Sequence, residues 1–446
     1  MKKRKISLST THIILISFLL VIILGAVLLS LPISSADGKA VPFIDALFTA
    51  TTSTCVTGLV VVPTVSAWSS FGHIVILCLI QIGGLGVITV LSGIMILMHR
   101  RIGMADRVLL QDSFNLNSLS GLVRFVKKVV LGTFVIEGIG ALCYMTVFIP
   151  EFGIKGIWIS VFTSVSAFCN AGIDIIADNS LCNYVLDPTV NIVTMMLIIL
   201  GGIGFPVWWD VIGRVKHKGR KSLTLHSKIA LTVTFILIAT GAILIFIFEY
   251  SNPDTIGGFN IWEKIQASLF QSVTTRTAGF ATVPQENLTN ASSVLCLLLM
   301  FIGGSPVGTA GGIKTVTFAV LIASALASVR NREDTVLFNR KLTKQTVSKA
   351  VAVAVTSFVI LFVSTLLLSY VTDADALDIM YETVSATATV GLTRDLTPYL
   401  GRAGKLIITA TMYLGRVGPI SLAVALNIKK KIPDLIKDPT EEISVG

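Results

Sequence analysis

The chain has 446 residues, of which 53% are hydrophobic and only 13% are charged, and its mean hydropathy is +0.83. An ordinary soluble domain carries about 25% charged residues, so this composition indicates an integral membrane protein and excludes a soluble enzyme. The formal net charge of +10 does not indicate nucleic-acid binding, because no soluble basic face with interleaved aromatics is present. The six cysteines and five histidines lack ligand spacing, so neither a metal site nor a disulfide framework is expected.

Eight apolar runs along the chain are long enough to span a bilayer, which takes about 20 residues in a helix. They fall at 11–31, 71–98, 126–149, 189–212, 228–250, 293–328, 349–371 and 403–428. Within each successive pair of runs lies a segment too short to span, at 43–55, 158–169, 261–275 and 376–388. Each short segment fits a pore helix that enters the membrane and turns back, so each unit is predicted to be outer helix, pore helix, filter and inner helix.

This pattern predicts an all-α integral membrane protein with four such repeats around one pseudo-fourfold pore. The predicted units are membrane repeats at 1–98, 99–212, 213–328 and 329–428, followed by a cytoplasmic tail at 429–446. All four repeats belong to one membrane domain.

A glycine with a small or polar run before it follows each pore helix and recurs about every 110 residues, which marks an internal repeat. The four stretches end in Thr57-Gly58, Ala171-Gly172, Ala278-Gly279 and Val390-Gly391. Non-helical backbone at membrane depth must be buried in protein or line water. A lone glycine would be a helix cap or a packing contact, but the fourfold recurrence favours a carbonyl-lined ion filter.

A second glycine motif recurs in the inner helices, and in the first two repeats close helix packing through small residues accounts for it. In the third repeat the motif extends into a run too rich in glycine and proline for an uninterrupted helix. That run is predicted to break the helix as a flexible gate below the filter. Its gate residues are Gly303, Gly304, Ser305, Pro306, Gly308, Thr309, Gly311, Gly312 and Lys314.

Arg416 occupies the motif position that is glycine in the other three repeats. A guanidinium at mid-membrane is costly and faces the bundle interior or water, so Arg416 is predicted to be a gate element opposite the 303–314 segment. The alternative is a structural ion pair with an acid such as Glu137 or Asp210. Neither Glu137 nor Lys314 is given a firm role.

Orientation follows from the basic residues, because most of the 35 Lys and Arg fall in segments 2–5, 100–128, 214–228, 330–349 and 429–437. The intervening loops are acidic, so both termini are predicted to be cytoplasmic and the glycine stretches to face the acidic outer side. Asp210 with Trp208 and Trp209 is interpreted as an interfacial anchor.

These residues together resemble the Trk/Ktr/HKT potassium transporter superfamily. The resemblance rests on the fourfold filter ends, on the GGSPVGTAGGIK run from residue 303 and on Gly415-Arg416-Val417-Gly418-Pro419. Within the superfamily the chain is most similar to the Ktr membrane subunit of the KtrB and KtrD type, over nearly its whole length.

The resemblance implies potassium uptake across the bacterial plasma membrane, through one pore per subunit and often assisted by Na⁺. It implies K⁺ bound at backbone carbonyls near Gly58, Gly172, Gly279 and Gly391, with the gate loop at 303–314 and the gating arginine at Arg416. It also implies a homodimer in the lipid bilayer, docked on a cytosolic octameric ring of the KtrA or KtrC type that binds nucleotide and NAD. No organic cofactor is expected in this chain.

Two features depart from tetrameric potassium channels, and one alternative function stays open. Only Thr389-Val390-Gly391 approaches the TVGYG filter, and Arg276 lies inside the third stretch, with its head group expected to point away from the axis. The alternative is an alternating-access secondary transporter of another cation or small solute, built on broken helices. No nucleophile–base constellation or phosphate loop is present, so an enzyme is not expected.

Overall fold

The computed structural model describes residues 10–98, 103–113, 121–218 and 222–418, which form seventeen α-helices, three 3₁₀ turns and one β-hairpin. In chain order the helices are α1 (Thr10–Ser30), α2 (Phe43–Cys55), α3 (Thr64–Ala67), α4 (Ser70–Leu85), α5 (Val87–Leu97), α6 (Met104–Ser113), α7 (Leu122–Phe152), α8 (Lys155–Cys169), α9 (Pro188–Gly202), α10 (Phe205–Lys216), α11 (Leu225–Glu249), α12 (Ile261–Thr274), α13 (Asn290–Phe301), α14 (Thr315–Val329), α15 (Lys344–Val371), α16 (Ala376–Ala388) and α17 (Arg402–Val417). The 3₁₀ turns are Pro32–Ser34, Cys182–Tyr184 and Thr397–Tyr399, and the hairpin pairs β1 (Val336–Leu337) with β2 (Arg340–Lys341).

The helices are arranged as a ring of four similar units. The outer helices α1, α7, α11 and α15 each pack on the pore helix of their own unit, which is α2, α8, α12 or α16. Each pore helix also packs on the inner helix of the preceding unit: α8 on α4, α12 on α9, α16 on α13, and α2 on α17. The last contact joins the fourth unit to the first, so the chain closes on itself with pseudo-fourfold symmetry.

The four outer helices carry the membrane-facing surface. They are the helices of the described residues that are both long and apolar enough to cross a membrane one by one. Leu20, Leu131, Phe235 and Phe358 on these helices are each at least 60% exposed. Such an apolar belt is stable in lipid and unfavourable in water. The structure therefore confirms the predicted all-α integral membrane architecture.

The inner helices are bent, which corrects the prediction that 71–98 and 189–212 are single spans. The axes of α4 and α5 differ by 97° across Gly86, and those of α9 and α10 by 100° across Gly204. Both glycines have φ near 90°, at 85° and 93°, and Gly418 has the same conformation, with φ 92°. Close packing alone is therefore an incomplete account of the motif, because its fourth residue turns the chain.

The first glycine of the motif does pack closely. An ideal Cβ on Gly83 would lie 1.8 Å from the carbonyl oxygen of Thr54, and one on Gly415 would lie 2.2 Å from that of Thr387. In the third unit the fourth position is Pro306, and the whole stretch from 302 to 314 is non-helical. The predicted continuation of the last inner helix to 428, the tail at 429–446 and the basic start at 2–5 lie outside the described residues.

The predicted interfacial anchor at 208–210 is also corrected. Trp208 is buried and donates its indole N–H to the carbonyl oxygen of Leu200, at 2.9 Å. Asp210 is buried as well, and its carboxylate accepts the backbone N–H of Thr224 at 2.8 Å, which ties α10 to the start of α11. Only Trp209 is partly exposed, with the Lys128 ammonium 4.9 Å from its ring centre. These side chains therefore join helices within the protein.

Candidate functional site

The four glycines singled out in the sequence meet around one axis at the centre of the ring. Each glycine packs closely on the filter stretch of the next unit. A Cβ added to it would collide with a carbonyl oxygen there, that of the residue just before the next glycine. The ideal Cβ-to-oxygen distances are 2.5 Å from Gly58 to Ala171, 2.5 Å from Gly172 to Ala278, 2.4 Å from Gly279 to Val390 and 2.2 Å from Gly391 to Thr57. The series runs once around the ring, so these glycines and carbonyls form one closed layer.

The conformation of the stretches explains why glycine stands at these positions. Gly58, Gly172, Gly279 and Gly391 all have positive φ, between 63° and 99°, which side-chain-bearing residues rarely adopt. The residue two positions before each glycine also has positive φ: Val56, Asn170, Thr277 and Thr389. The chain thus turns sharply out of the pore helix and then runs as irregular backbone through the centre of the protein.

Hydroxyl groups on the pore helices, which the glycine repeat did not reveal, hold these stretches in place. Thr52 Oγ1 accepts the backbone N–H of Gly58 at 2.9 Å, and Ser385 Oγ accepts that of Gly391 at 3.0 Å. Ser166 Oγ accepts the N–H of Ile173 at 3.1 Å in the second unit. The signal was present, because a hydroxyl residue lies six positions before the glycine in these three units.

The backbone N–H groups of the stretches point back to the pore helices. Thr57 donates to the carbonyl of Thr52, and Val390 donates to that of Ser385, both at 2.8 Å. Within the described part of the chain, the carbonyl oxygens of Thr57, Ala171, Ala278 and Val390 accept no hydrogen bond. A crowded ring of carbonyl dipoles without internal donors is what a dehydrated cation requires as a replacement for its water shell. The C-terminal ends of the pore helices add further negative potential.

An acidic cavity of about 400 Å³ lies on one side of this layer and is lined by all four glycines. Four carboxylates also line it, and no Lys or Arg does: Asp174, Asp178, Glu286 and Asp395. Asp174 is largely buried, and this burial raises the pKa of its carboxyl to about 6. A cavity walled by one sign of charge concentrates cations at its floor.

The non-helical segment 303–314, here called the gate loop, lies on the other side of the layer. Ser305 and Thr309 donate their backbone N–H groups to the carbonyls of Gly202 and Gly201, at 2.8 and 3.1 Å. An ideal Cβ on Gly311 would lie 2.4 Å from the carbonyl oxygen of Ala388 at the end of α16. The gate loop therefore starts in the third unit and contacts the second and fourth.

Arg416 binds the gate loop directly. Its Nη1 donates to the carbonyl of Thr309 and its Nη2 to the carbonyl of Gly83 in the first unit, both at 2.6 Å. No carboxylate of the described residues lies within ion-pair distance of Arg416, so the alternative ion pair with Glu137 or Asp210 is not formed. The guanidinium instead joins the gate loop to the opposite wall.

Two further basic side chains bind carbonyls of the gate loop, one from within the loop and one from the third filter stretch. Lys314 donates its ammonium to the carbonyl of Ala310 and lies 3.4 Å from that of Gly311. Arg276 is buried and donates to the carbonyl of Gly303, at 3.0 Å. Its other terminal nitrogen lies 3.5 Å from the carbonyl of Thr234 on α11, so the head group reaches toward an outer helix. Carbonyl dipoles of the loop therefore stabilise both side chains.

Glu137 lies apart from these cations, behind the second pore helix. It is buried on α7, and its carboxylate accepts a hydrogen bond from Gln81 Nε2 at 3.2 Å. The Cys169 thiol, at the end of α8, lies 3.9 Å from the same carboxylate. These contacts join α7 to the inner helix of the first unit and to the second pore helix.

Together, the fold and this layer define a class: multi-pass membrane proteins with four pore hairpins around one axis. The chain belongs to the TrkH family of cation transport proteins, whose family model matches residues 2–435. This finding confirms the resemblance noted in the sequence. The family is one of transporters rather than enzymes.

Individual relatives are similar over their full lengths. The chain is 43% identical to the Ktr system potassium uptake protein B of Bacillus subtilis (strain 168), covering 98% of this chain and 96% of the relative. It is 38% identical to the protein of the same name from Vibrio alginolyticus, covering 100% and 97%. It is 37% identical to the potassium/sodium uptake protein NtpJ of Enterococcus hirae, covering 100% and 99%.

A solved structure has the same fold. The crystal structure of the potassium transporter TrkH from Vibrio parahaemolyticus superposes with a TM-score of 0.76, covering 95% of this chain and 86% of that chain. The two sequences are 17% identical, so this likeness concerns the fold alone.

Proposed function

We propose that this chain takes up potassium ions across the bacterial plasma membrane, with the four-carbonyl layer as its selectivity filter. The proposal rests on the closed layer in which each glycine packs on the next unit's carbonyl. A cation concentrated in the acidic cavity would exchange its water for these oxygens. The potassium uptake named for the relatives from Bacillus and Vibrio supports the choice of ion. The alternating-access alternative is less favoured, because the four units run in one direction around a single axis.

The filter is tested by placing a methyl group in the layer. In Gly391→Ala the Cβ would lie 2.2 Å from the Thr57 carbonyl oxygen. Gly38→Ala is the matched control, since Gly38 also has positive φ, 66°, but has open space around its Cβ position. We expect Gly391→Ala to lower Rb⁺ uptake about tenfold or more, because overpacking shifts the surrounding backbone. Uptake is measured in a bacterial strain lacking its own potassium systems, at equal protein levels in the membrane.

Gly38→Ala should retain uptake near that of the unmodified protein. If Gly391→Ala transports as well as Gly38→Ala, the carbonyl layer is not the filter.

We further propose that the gate loop and Arg416 close the path beneath the filter. Arg416→Gln loses charge-assisted hydrogen bonds to Thr309 and Gly83, each worth roughly 1.5–3 kcal/mol, so we expect K⁺ flux to rise about tenfold. Flux is measured with the purified protein in liposomes, without any soluble partner. Arg402→Gln is the control, because Arg402 is exposed at the start of the same helix. Equal flux in both variants would show that Arg416 does not hold the gate.

The remaining proposals concern assembly and coupling. We propose a homodimer docked on a cytosolic octameric ring of the KtrA or KtrC type that binds nucleotide and NAD, because the relatives are named as components of Ktr systems. We propose that Na⁺ assists uptake, in line with the potassium/sodium uptake named for the Enterococcus relative. Both termini are proposed to be cytoplasmic, which leaves the acidic cavity on the outer side.

A further inference from the structure

The residue two positions before each filter glycine differs among the units. It is Asn170, Thr277 and Thr389 in the second, third and fourth units, and Val56 in the first. All four have φ between 51° and 68° at the point where the pore helix gives way to the filter. A β-branched residue in this conformation is strained, so these side chains occupy a position that backbone geometry alone would not select.

The three polar side chains all contact the gate loop. Thr309 Oγ1 lies 3.2 Å from Asn170 Oδ1 and 3.1 Å from the carbonyl oxygen of Phe168, so its one proton is shared between two acceptors of the second unit. Thr277 Oγ1 accepts the backbone N–H of Gly311, also at 3.2 Å. Gly311 packs on Thr389 so tightly that an ideal Cβ would lie 2.0 Å from Thr389 Oγ1. The three contacts come from three different units and meet on a stretch of three loop residues.

The first unit has no polar side chain at this position, and there Arg416 makes the contact instead. Val56 is buried in the hydrophobic core and cannot hydrogen-bond. On that side Arg416 joins the carbonyl of Thr309 to the carbonyl of Gly83 in the first unit. Every quarter of the ring therefore has a contact with residues 309–311, and three of the four come from the filter hairpins.

We propose that Asn170, Thr277 and Thr389 form a loop receptor, a set of positioning residues that hold the gate loop shut against the underside of the filter. This inference rests on the proposed function, since it specifies what the closed gate binds. It makes closure depend on the filter hairpins themselves, because the residues that turn the chain into the filter also hold the loop.

The individual contacts between the loop receptor and the gate loop are weak. Within the described residues, Thr389 Oγ1 and Asn170 Nδ2 are buried without a hydrogen-bond partner. Thr389 therefore contributes packing alone. The neutral hydrogen bonds of Asn170 and Thr277 are individually weak, so each should bias the closed state only about three- to tenfold. A loop held by several weak contacts can be released without disturbing the pore hairpins.

The test removes one contact of the receptor at a time. The variants are Thr277→Val, which removes the hydrogen bond to Gly311, Thr389→Ala, which removes the side-chain atoms packed on Gly311, and their combination. Val56 shows that valine is accepted in this backbone conformation. Thr163→Val is the matched control, because its buried hydroxyl on α8 has no partner among the described residues. We expect K⁺ leak through the partner-free protein in liposomes to rise about threefold for Thr277→Val and further for the double variant. Thr163→Val should match the unmodified protein.

Selectivity distinguishes a receptor from a damaged filter. The ratio of Rb⁺ to Na⁺ flux should equal that of Arg416→Gln, whose filter residues are unchanged. A double-mutant cycle between Asn170→Ala and Thr309→Val should be non-additive, because the Thr309 hydroxyl is the donor to Asn170 Oδ1, although Thr309→Val also removes its contact with the Phe168 carbonyl.

The experiments distinguish a failure of the loop receptor from a failure of the proposed function. If Arg416→Gln conducts potassium but the threonine variants leak no more than Thr163→Val, or leak only with lost selectivity, the loop receptor is wrong while the proposed function stands. If Arg416→Gln conducts no potassium, the proposed function fails and the receptor with it.

Discussion

Asp174 lies in the cavity above the four glycines, where burial competes with hydrogen bonding. Its carboxylate accepts the backbone N–H of Ile176 at 3.2 Å, but burial is the larger effect and raises the pKa to about 6 from the ordinary aspartate value of 3.8. The folded state therefore binds the proton more tightly than the unfolded state does. This group's contribution to stability is complete below pH 3.8 and is lost as pH rises through 6.

The same titration should affect transport in the opposite direction. Above pH 6 the carboxylate is charged and attracts cations, and below pH 6 it becomes neutral. We expect Rb⁺ uptake at low external concentration to fall about twofold when the outer pH is lowered from 7.5 to 5, because the local cation concentration falls. Asp174→Asn should remove that part of the pH dependence.

Asp254→Asn is the control, because Asp254 is exposed and does not line the cavity. A pH profile that is the same in Asp174→Asn and in the unmodified protein would contradict this assignment.

The sequence identified those site residues whose roles depend on the chain within their own unit. The four glycines could be identified because every unit needs a residue with positive φ shortly after its pore helix, and the same residue type recurs there. The hydrogen-bond partners of Arg276 and Arg416 were not visible. Arg276 binds the backbone carbonyl of residue 303, and Arg416 binds those of residue 309 and Gly83. Any residue type supplies such a carbonyl, so no side-chain pattern in the sequence marks these partners.

At the scale of helices, the two glycines at the inner-helix bends share a backbone conformation but have different surroundings. Gly86 and Gly204 have nearly the same backbone, with φ and ψ of 85° and 134° in one and 93° and 136° in the other. Around Gly86 the nearest atom to an ideal Cβ is Thr89 Oγ1, at 3.8 Å. At Gly204 the same Cβ would lie 2.5 Å from the carbonyl oxygen of Pro306 in the gate loop.

We therefore expect Gly204→Ala, but not Gly86→Ala, to displace the gate loop. Both alanines carry a similar penalty for positive φ, so lowered stability should be common to the two variants. The collision with Pro306 is specific to Gly204→Ala, which should raise K⁺ leak in partner-free liposomes severalfold. Equal leaks in the two variants would mean that the loop does not rest on this bend.

Helix prediction succeeded for the pore helices and failed for the inner ones for a physical reason. The segments 43–55 and 376–388 match α2 and α16 at both ends, because polar or glycine-containing stretches bound them in the sequence. A hydropathy run carries no information about φ, so the turns at Gly86 and Gly204 were hidden inside apolar stretches. A glycine at the fourth motif position in three units, with proline in the other, was the available signal.

At the scale of the whole molecule, the ring is closed by a contact between its two ends. Lys405 on α17 and Asp45 on α2 form an ion pair of 2.6 Å, and each side chain is 17% exposed. We expect Asp45→Asn to lower the free energy of unfolding by about 1 kcal/mol, the upper end for a partly exposed pair. Thermal unfolding in detergent measures this change.

Asp334→Asn is the matched control, since its partner Lys341 is equally close but the two side chains are 45% and 67% exposed. It should leave stability nearly unchanged. Exchanging the charges, as Asp45→Lys with Lys405→Asp, should restore stability if the pair itself matters, and failure of that exchange would point to packing instead.

Which units are neighbours is a tertiary property that the repeat pattern left open. The order around the axis follows from pore helices packing on the preceding unit's inner helix, a contact between helices that lie far apart in the chain. Apolar periodicity shows that a helix has a buried face without showing which helix covers it.

A pore assembled from one chain has a genetic consequence that a tetramer of identical subunits lacks. A single codon change in this gene alters one quadrant and leaves three intact, whereas in a homotetramer every substitution appears four times. Arg416 and the gate loop each occur in one quadrant, whereas a homotetramer could carry such features only in four copies. A mutation can therefore change conduction by altering one quarter of the ring at a time.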